Sequence, residues 1–167
     1  QAVMAEELRA RGLCGKELVV VAPDSGGVDR AMNLATRLGS SLAVVFKRHP
    51  DDSPTEAEAI DVVGALSGKT ALILDDMILG GATLITAAEA ILQKGAKRVF
   101  GCVTHPVLCG DAPQQIADSV IEELIVSDSL PLPANCPDKI KAITLAHLLG
   151  DAIERTHSNA SISEIIA

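Results

Sequence analysis

Short apolar runs alternate with helical hydrophobic periods along the whole chain. Leu18-Val19-Val20-Val21-Ala22 is a β-branched run, and Val28, Ala31, Met32, Ala35 and Leu38 follow it at helical spacing up to Gly39. Leu42-Ala43-Val44-Val45-Phe46 predicts the next strand. Residues 47–58 hold two prolines and no apolar period, which predicts an exposed loop, and Ala59 to Val63 reads as a short strand before the Ser67-Gly68 turn. Thr70-Ala71-Leu72-Ile73-Leu74 is the strongest candidate for a buried strand. A helix is expected from about Thr83 to Lys94, with Leu84, Ile85, Ala88, Ile91 and Leu92 on one face. Strands are expected at Val99 to Thr104 and Ile121 to Val126, with a helix near Ala112 to Asp118 between them. The tail offers Ala142 to Ala146 as a strand and Leu148 to His157 as a helix. Nearly continuous apolar strands separated by helices predict an α/β fold, a parallel sheet covered by helices on both faces.

Length and charge narrow the class. A chain of 167 residues fits one domain with its own core and needs no disulfide or metal staple. With 14 Lys+Arg against 22 Asp+Glu, a net charge of −8 and two Phe as the only aromatic residues, the chain lacks the basic face and stacking surface of a nucleic-acid binder. No uncharged apolar run has membrane-spanning length, and Gln1 to Arg11 does not read as a signal peptide, so a cytoplasmic location is expected. The first dozen residues read as a helix that could belong to something upstream. Cys14, Cys102, Cys109 and Cys136 form no C-x-x-C pair and read as reduced thiols.

Candidate chemistry gathers after the strands, where ligands bind in an open parallel sheet. The successive connections carry Asp24-Ser25-Gly26-Gly27, Lys47-Arg48-His49-Pro50, Asp75-Asp76, His105-Pro106 and Ser127-Asp128-Ser129. The third is the most informative. Two carboxylates leave a buried strand, and Gly80-Gly81-Ala82-Thr83 opens a helix, an arrangement suited to phosphate on backbone N–H groups. The carboxylates could then accept bonds from sugar hydroxyls or hold Mg²⁺ through water. From this loop alone a plain helix cap with solvated Asp75 and Asp76 stays open. Gly68-Lys69-Thr70 mimics the end of a P-loop but precedes a strand, and no G-x-G-x-x-G occurs.

Five segments in register extend this reading. Val21-Ala22-Pro23-Asp24-Ser25-Gly26-Gly27-Val28, Phe46-Lys47-Arg48, Leu74-Asp75-Asp76-Met77-Ile78, Gly95-Ala96-Lys97-Arg98-Val99 and Thr104-His105-Pro106-Val107-Leu108 resemble the carboxyl-terminal domain of the ribose-phosphate pyrophosphokinases. The resemblance implies a type I phosphoribosyltransferase fold over residues 18–167, with 1–17 as a linker helix from an amino-terminal domain. It implies synthesis of 5-phosphoribosyl diphosphate from ribose 5-phosphate and ATP with Mg²⁺, in a homo-oligomer. By the same resemblance Asp75 and Asp76 would hold the ribose hydroxyls, and Gly80, Gly81, Ala82 and Thr83 the 5-phosphate. Asp24 would help place the metal, and Lys47 and Arg48 would serve catalysis, Lys47 by neutralising the transferred diphosphoryl group.

This chain also departs from the family. Where the phosphate loop of the family usually reads Asp-Asp-Met-Ile-Asp-Thr-Gly-Gly-Thr, this chain has Leu79 for the third acid, Gly80 for the first threonine and Ala82 for a glycine. His49, mostly neutral at pH 7, stands where many bacterial members have a second arginine. Three readings follow: part of a working pyrophosphokinase, a non-catalytic regulatory or assembly homologue, or another sugar-phosphate enzyme of the same fold. His105 matches the family's Thr-His segment or is a structural histidine, and His147 and His157 read as structural.

Overall fold

The computed structural model describes residues 2–48 and 59–166. Its strands are β1 Leu18–Ala22, β2 Ser41–Arg48, β3 Ala59–Val63, β4 Thr70–Ile78, β5 Arg98–Pro106, β6 Leu124–Ser127 and β7 Ile140–Ile143. Its helices are α1 Ala2–Ala10, α2 Val28–Leu38, α3 Ala82–Gln93, α4 Ala112–Asp118, α5 Ala146–His157 and α6 Ser163–Ile166. The strands form one seven-stranded sheet in the order β3-β2-β1-β4-β5-β6-β7.

Alternation along each strand builds two apolar layers, because successive side chains point to opposite faces. Val19, Val21, Ile73, Val103 and Val126 pack on one face with Leu84, Ala88 and Ile91 of α3 and Ile116 of α4. Val20, Leu72, Leu74, Cys102 and Ile125 pack on the other with Leu34 and Leu38 of α2 and Met4 and Leu8 of α1. The helices on both faces match the expected α/β class. Burial pushes the Cys102 thiol up to about 12, so it behaves as an apolar side chain.

The structure corrects several expectations. The sheet is not wholly parallel: β3 runs antiparallel to β2, with Phe46 opposite Asp61 and Arg48 opposite Ala59. The connection, residues 49–58, is ten residues long, shorter than the dozen or so a parallel crossover needs. Lys47 and Arg48 therefore end β2 as ladder residues rather than opening a loop, while His49, Pro50 and the acidic stretch to Glu58 lie outside the described residues. β4 continues past Leu74 to Ile78 because β5 runs beside it to Pro106, pairing Met77 with His105 and Ile78 with Pro106. Asp75 and Asp76 are strand residues, not turn residues, and so are His105 and Pro106. β6 begins at Leu124 rather than Ile121, β7 is Ile140–Ile143 rather than residues 142–146, and α5 starts at Ala146.

Candidate functional site

A ligand crevice opens in such a sheet where neighbouring strands send their connections to opposite faces. That point lies between β1 and β4. β1 leads through α2 to β2, while β4 leads through α3, on the other face, to β5. A cleft of about 350 Å³ is found there, lined by Asp24, Asp75, Asp76, the turn Leu79–Gly81, Ala82, Thr83 and Val103. The structure thus brings together every expected sugar, phosphate and metal residue. For Lys47 and Arg48 it gives the backbone position at the end of β2.

Asp24 leaves β1 in an extended conformation, and its Oδ1 accepts a bond from the Gly27 N–H at 2.9 Å, closing a single 3₁₀ turn over Ser25–Gly27. That turn feeds α2, whose third residue, Arg30, reaches across to the end of β4. Arg30 Nη1 donates to Asp76 Oδ2 at 2.8 Å, and Nη2 to Asp75 Oδ1 at 3.4 Å. Asp75 Oδ1 also accepts the Asp76 N–H at 2.8 Å. The two carboxylates differ. Burial holds the Asp75 carboxyl above the ordinary aspartate range, opposed by the Asp76 N–H and by Arg30. At Asp76 burial pushes the same way but is outweighed by the hydrogen bond and charge of Arg30, so its carboxyl titrates below the ordinary range.

The turn from β4 into α3 is built for close approach of a ligand to backbone. Gly81 has φ 82°, the left-handed region, and a Cβ there would lie 3.4 Å from Ile116 Cδ1. It precedes α3 without any side chain capping the helix, so the first N–H groups of the helix are left for an anion. Gly80 opens on empty space, with nothing within 4 Å of a Cβ, and Leu79 is 53% exposed. The segment after β5 braces this turn: the Leu108 N–H donates to Ile78 O at 3.0 Å and the Cys109 N–H to Leu79 O at 2.9 Å. Leu108 does so at φ 48° with its side chain buried.

His105 sits two residues beyond Val103 and bonds Ser129 Oγ through Nδ1 at 3.0 Å, instead of lining the cleft. His147 and His157 are exposed on α5. A second cleft of about 280 Å³ opens at the opposite edge of the sheet, near Arg11, Glu17, Arg98 and Glu123. Its guanidinium groups are neutralised, Arg98 by Glu122 at 2.6 Å and Arg11 by Glu7 and Glu123, so it offers an anion little. The sequence reading missed Arg30. A signal existed: a cation in the first turn of a helix opposes the helix dipole and needs an acidic partner.

Comparison with known proteins gives the site a family. The sequence model of the phosphoribosyl synthetase-associated domain matches residues 46–167. The chain belongs to the ribose-phosphate pyrophosphokinase family. Among pyrophosphokinases of this family, that of Thermosipho africanus is 45% identical over 161 residues, covering 96% of this chain and 50% of the relative. The Listeria innocua ribose-phosphate pyrophosphokinase 1 is 45% identical over 152 residues, covering 90% of this chain and 47% of its own. The phosphoribosylpyrophosphate synthetase structure from Mycobacterium smegmatis superposes with a TM-score of 0.80 at 32% identity, over 95% of this chain and 49% of that one. The chain spans about half the length of the pyrophosphokinases it matches. The Giardia lamblia adenine phosphoribosyltransferase, at TM-score 0.56 and 17% identity over 86% of this chain and 77% of that one, shares the fold.

Proposed function

We propose that this chain supplies the sugar-phosphate site of a ribose-phosphate pyrophosphokinase, which transfers a diphosphoryl group from ATP to ribose 5-phosphate and releases AMP. The observation that carries the reading is the adjacency, in one cleft, of two carboxylates at the end of β4 and the uncapped start of α3. Phosphate needs N–H donors and positive potential, which Gly80 to Thr83 provide; the ribose hydroxyls need acceptors, which Asp75 and Asp76 provide. Lys47 and Arg48, at the end of β2, one strand beyond β1, are the cations for the transferred group. Such transfers depend on positioning and on charge stabilisation and need no covalent nucleophile.

The donor set also fits Mg²⁺. This ion takes one or two carboxylates together with substrate phosphates and water, and among the described residues no three His, Cys, Asp or Glu form a protein-only cage. Asp24 would hold it, with the Asp75–Asp76 pair nearby. When bound, Mg²⁺ would neutralise phosphate charge during transfer. Among the described residues no helix is long and apolar enough to cross a membrane. The reading places the chain in the cytoplasm as a homo-oligomer, with ATP contacts completed by the half of the family's length that this chain does not span.

Titration with ribose 5-phosphate, followed by NMR at the amides of Gly80, Gly81, Ala82 and Thr83, tests the reading. These signals should move, and no perturbation at about millimolar ligand would overturn it. A non-catalytic homologue is the second reading, favoured by the apolar Leu79 on the wall of the cleft.

The unequal carboxylates give a pH-dependent signature. The Asp75 carboxyl is raised, so its ionisation costs stability once pH climbs through that raised value, and the cost vanishes below the ordinary aspartate pKa. Asp75→Asn should therefore raise the melting temperature at neutral pH, weaken ribose 5-phosphate binding about tenfold, and lose its stability gain in acid. Asp76 has the opposite sign: its stabilisation is complete above the ordinary pKa and disappears as pH falls through the lowered one. Thermal melts of both Asn variants across pH check this, and a fall in melting temperature for Asp75→Asn at neutral pH would contradict it.

A further inference from the structure

Neighbouring residues of a strand point to opposite faces, so Asp75 and Asp76 leave β4 in divergent directions. Asp75 follows Ile73 toward the α3 side, and Asp76 follows Leu74 toward the α2 side. A sugar ring presenting vicinal hydroxyls needs both carboxylates turned to one side. The only side chain whose hydrogen bonds join both, among those described, is Arg30, 46 residues from Asp76 in sequence.

We infer that Arg30 is a positioning residue of the sugar site: its guanidinium draws Asp75 and Asp76 together and fixes which oxygen of each faces the ribose hydroxyls. Nη1 takes Oδ2 of Asp76 and Nη2 takes Oδ1 of Asp75, so the fork engages one named oxygen of each carboxylate. The fork of a guanidinium spans two acceptors at fixed spacing, which a single ammonium cannot do. Side-chain exposures of 30% for Arg30 and 23% for Asp75 keep that arm of the clamp partly dry, while Asp76, 50% exposed, is open to the cleft. The guanidinium passes Gly27, where a Cβ would already touch Nη2 at 3.5 Å, so a longer side chain there would crowd it. Its placement in the first turn of α2 works against the helix dipole, a local cost that the paired acids offset. The inference deepens the sugar-site reading and rests on it.

The experiment compares ribose 5-phosphate, 2-deoxyribose 5-phosphate and inorganic phosphate, by calorimetry, on the whole 167-residue chain. The wild type should favour ribose 5-phosphate over the deoxy sugar. Arg30→Met should cut that preference about tenfold while leaving inorganic phosphate affinity unchanged, and Arg30→Lys should fall between the two. A variant that keeps the full preference, or that loses affinity for all three in equal proportion, overturns the inference. A measurement without sugar separates the two readings. The Asp76 amide, which donates to Asp75 Oδ1, should shift in Arg30→Met while the amides of Ala71 to Leu74 hold still. An unmoved Asp76 amide overturns the clamp. Failure of the wild type to bind either sugar overturns the sugar-site reading instead, and the amide measurement still decides whether Arg30 sets the carboxylates.

Discussion

Given ribose 5-phosphate, ATP and Mg²⁺, the 167-residue chain is expected to bind the sugar phosphate but to make 5-phosphoribosyl diphosphate far more slowly than the roughly 1 per second at which ordinary enzyme rates begin. The backbone of Gly80 to Thr83 and the Asp75–Asp76 pair line the cleft, and in the proposed reading they serve the ground state. The departures are of side chains. Leu79 cannot accept a proton or ligate through water, Gly80 has no hydroxyl to aim at phosphate, and His49 lacks the permanent charge of an arginine. Each missing bond is worth about 1–3 kcal/mol in a dry site, so even two of them at the middle of that range, about 4 kcal/mol, remove roughly 10³-fold in rate. Losses that act where charge develops lower turnover more than binding. The structure has room for the reversal. Leu79 is half exposed and a Cβ on Gly80 meets nothing, so Leu79→Asp and Gly80→Thr fall outside the close-packed core. Together with His49→Arg, in a fusion carrying the other half of a relative, they should raise turnover. Isotope-labelled ATP measures the product directly, and turnover of about 1 per second or more by the unmodified chain would show that other residues carry the reaction.

Gly64→Ala is expected to cost more than about 4 kcal/mol of folding stability, or to prevent folding altogether. Gly64 follows β3 with φ 147°, and a Cβ built on it would lie 2.4 Å from Ala43 Cβ and 2.8 Å from Ala43 Cα. Those atoms belong to β2, which is fixed in the sheet by β1, so no flexible side chain can give way. The β2–β3 ladder must open to accept the methyl group. Because β2 ends at Lys47 and Arg48, the same opening would displace the cations proposed to serve the transfer. Urea denaturation measures the loss, with Gly80→Ala as the comparison, since that methyl group meets empty space. A cost for Gly64→Ala below about 1 kcal/mol would mean that the strands separate far more easily than close packing allows.

What the sequence revealed, and what it hid, follows from how far each feature reaches. β1 and the first half of β4 were legible because an unbroken apolar run buried on both faces has few alternative homes. The glycine turn that opens α3 was legible because glycines ahead of a helical period are a local pattern. The end of β4 was not. Asp75-Asp76-Met77 reads as the end of a strand, and only the ladder to Val103 and His105 carries the strand on. The direction of β3 could have been deduced from the ten-residue connection, but apolar pattern says nothing of parallel or antiparallel. Arg30 was the deepest omission. It looks like an ordinary polar position on α2, and its role exists only because the fold carries β4 to within a hydrogen bond of it.

Leu108 sets two selective pressures against each other at a single codon. Its left-handed backbone favours glycine or asparagine, by about 1–2 kcal/mol, while its buried side chain fills a pocket that neither would occupy. Divergence at this position cannot proceed one substitution at a time without passing through a weaker protein. A descendant that places glycine there must first acquire bulk from Ile78, Ile116 or another neighbour in the same layer. The brace beneath the turn from β4 into α3 is thus a place where lineages should change in pairs or stay as they are.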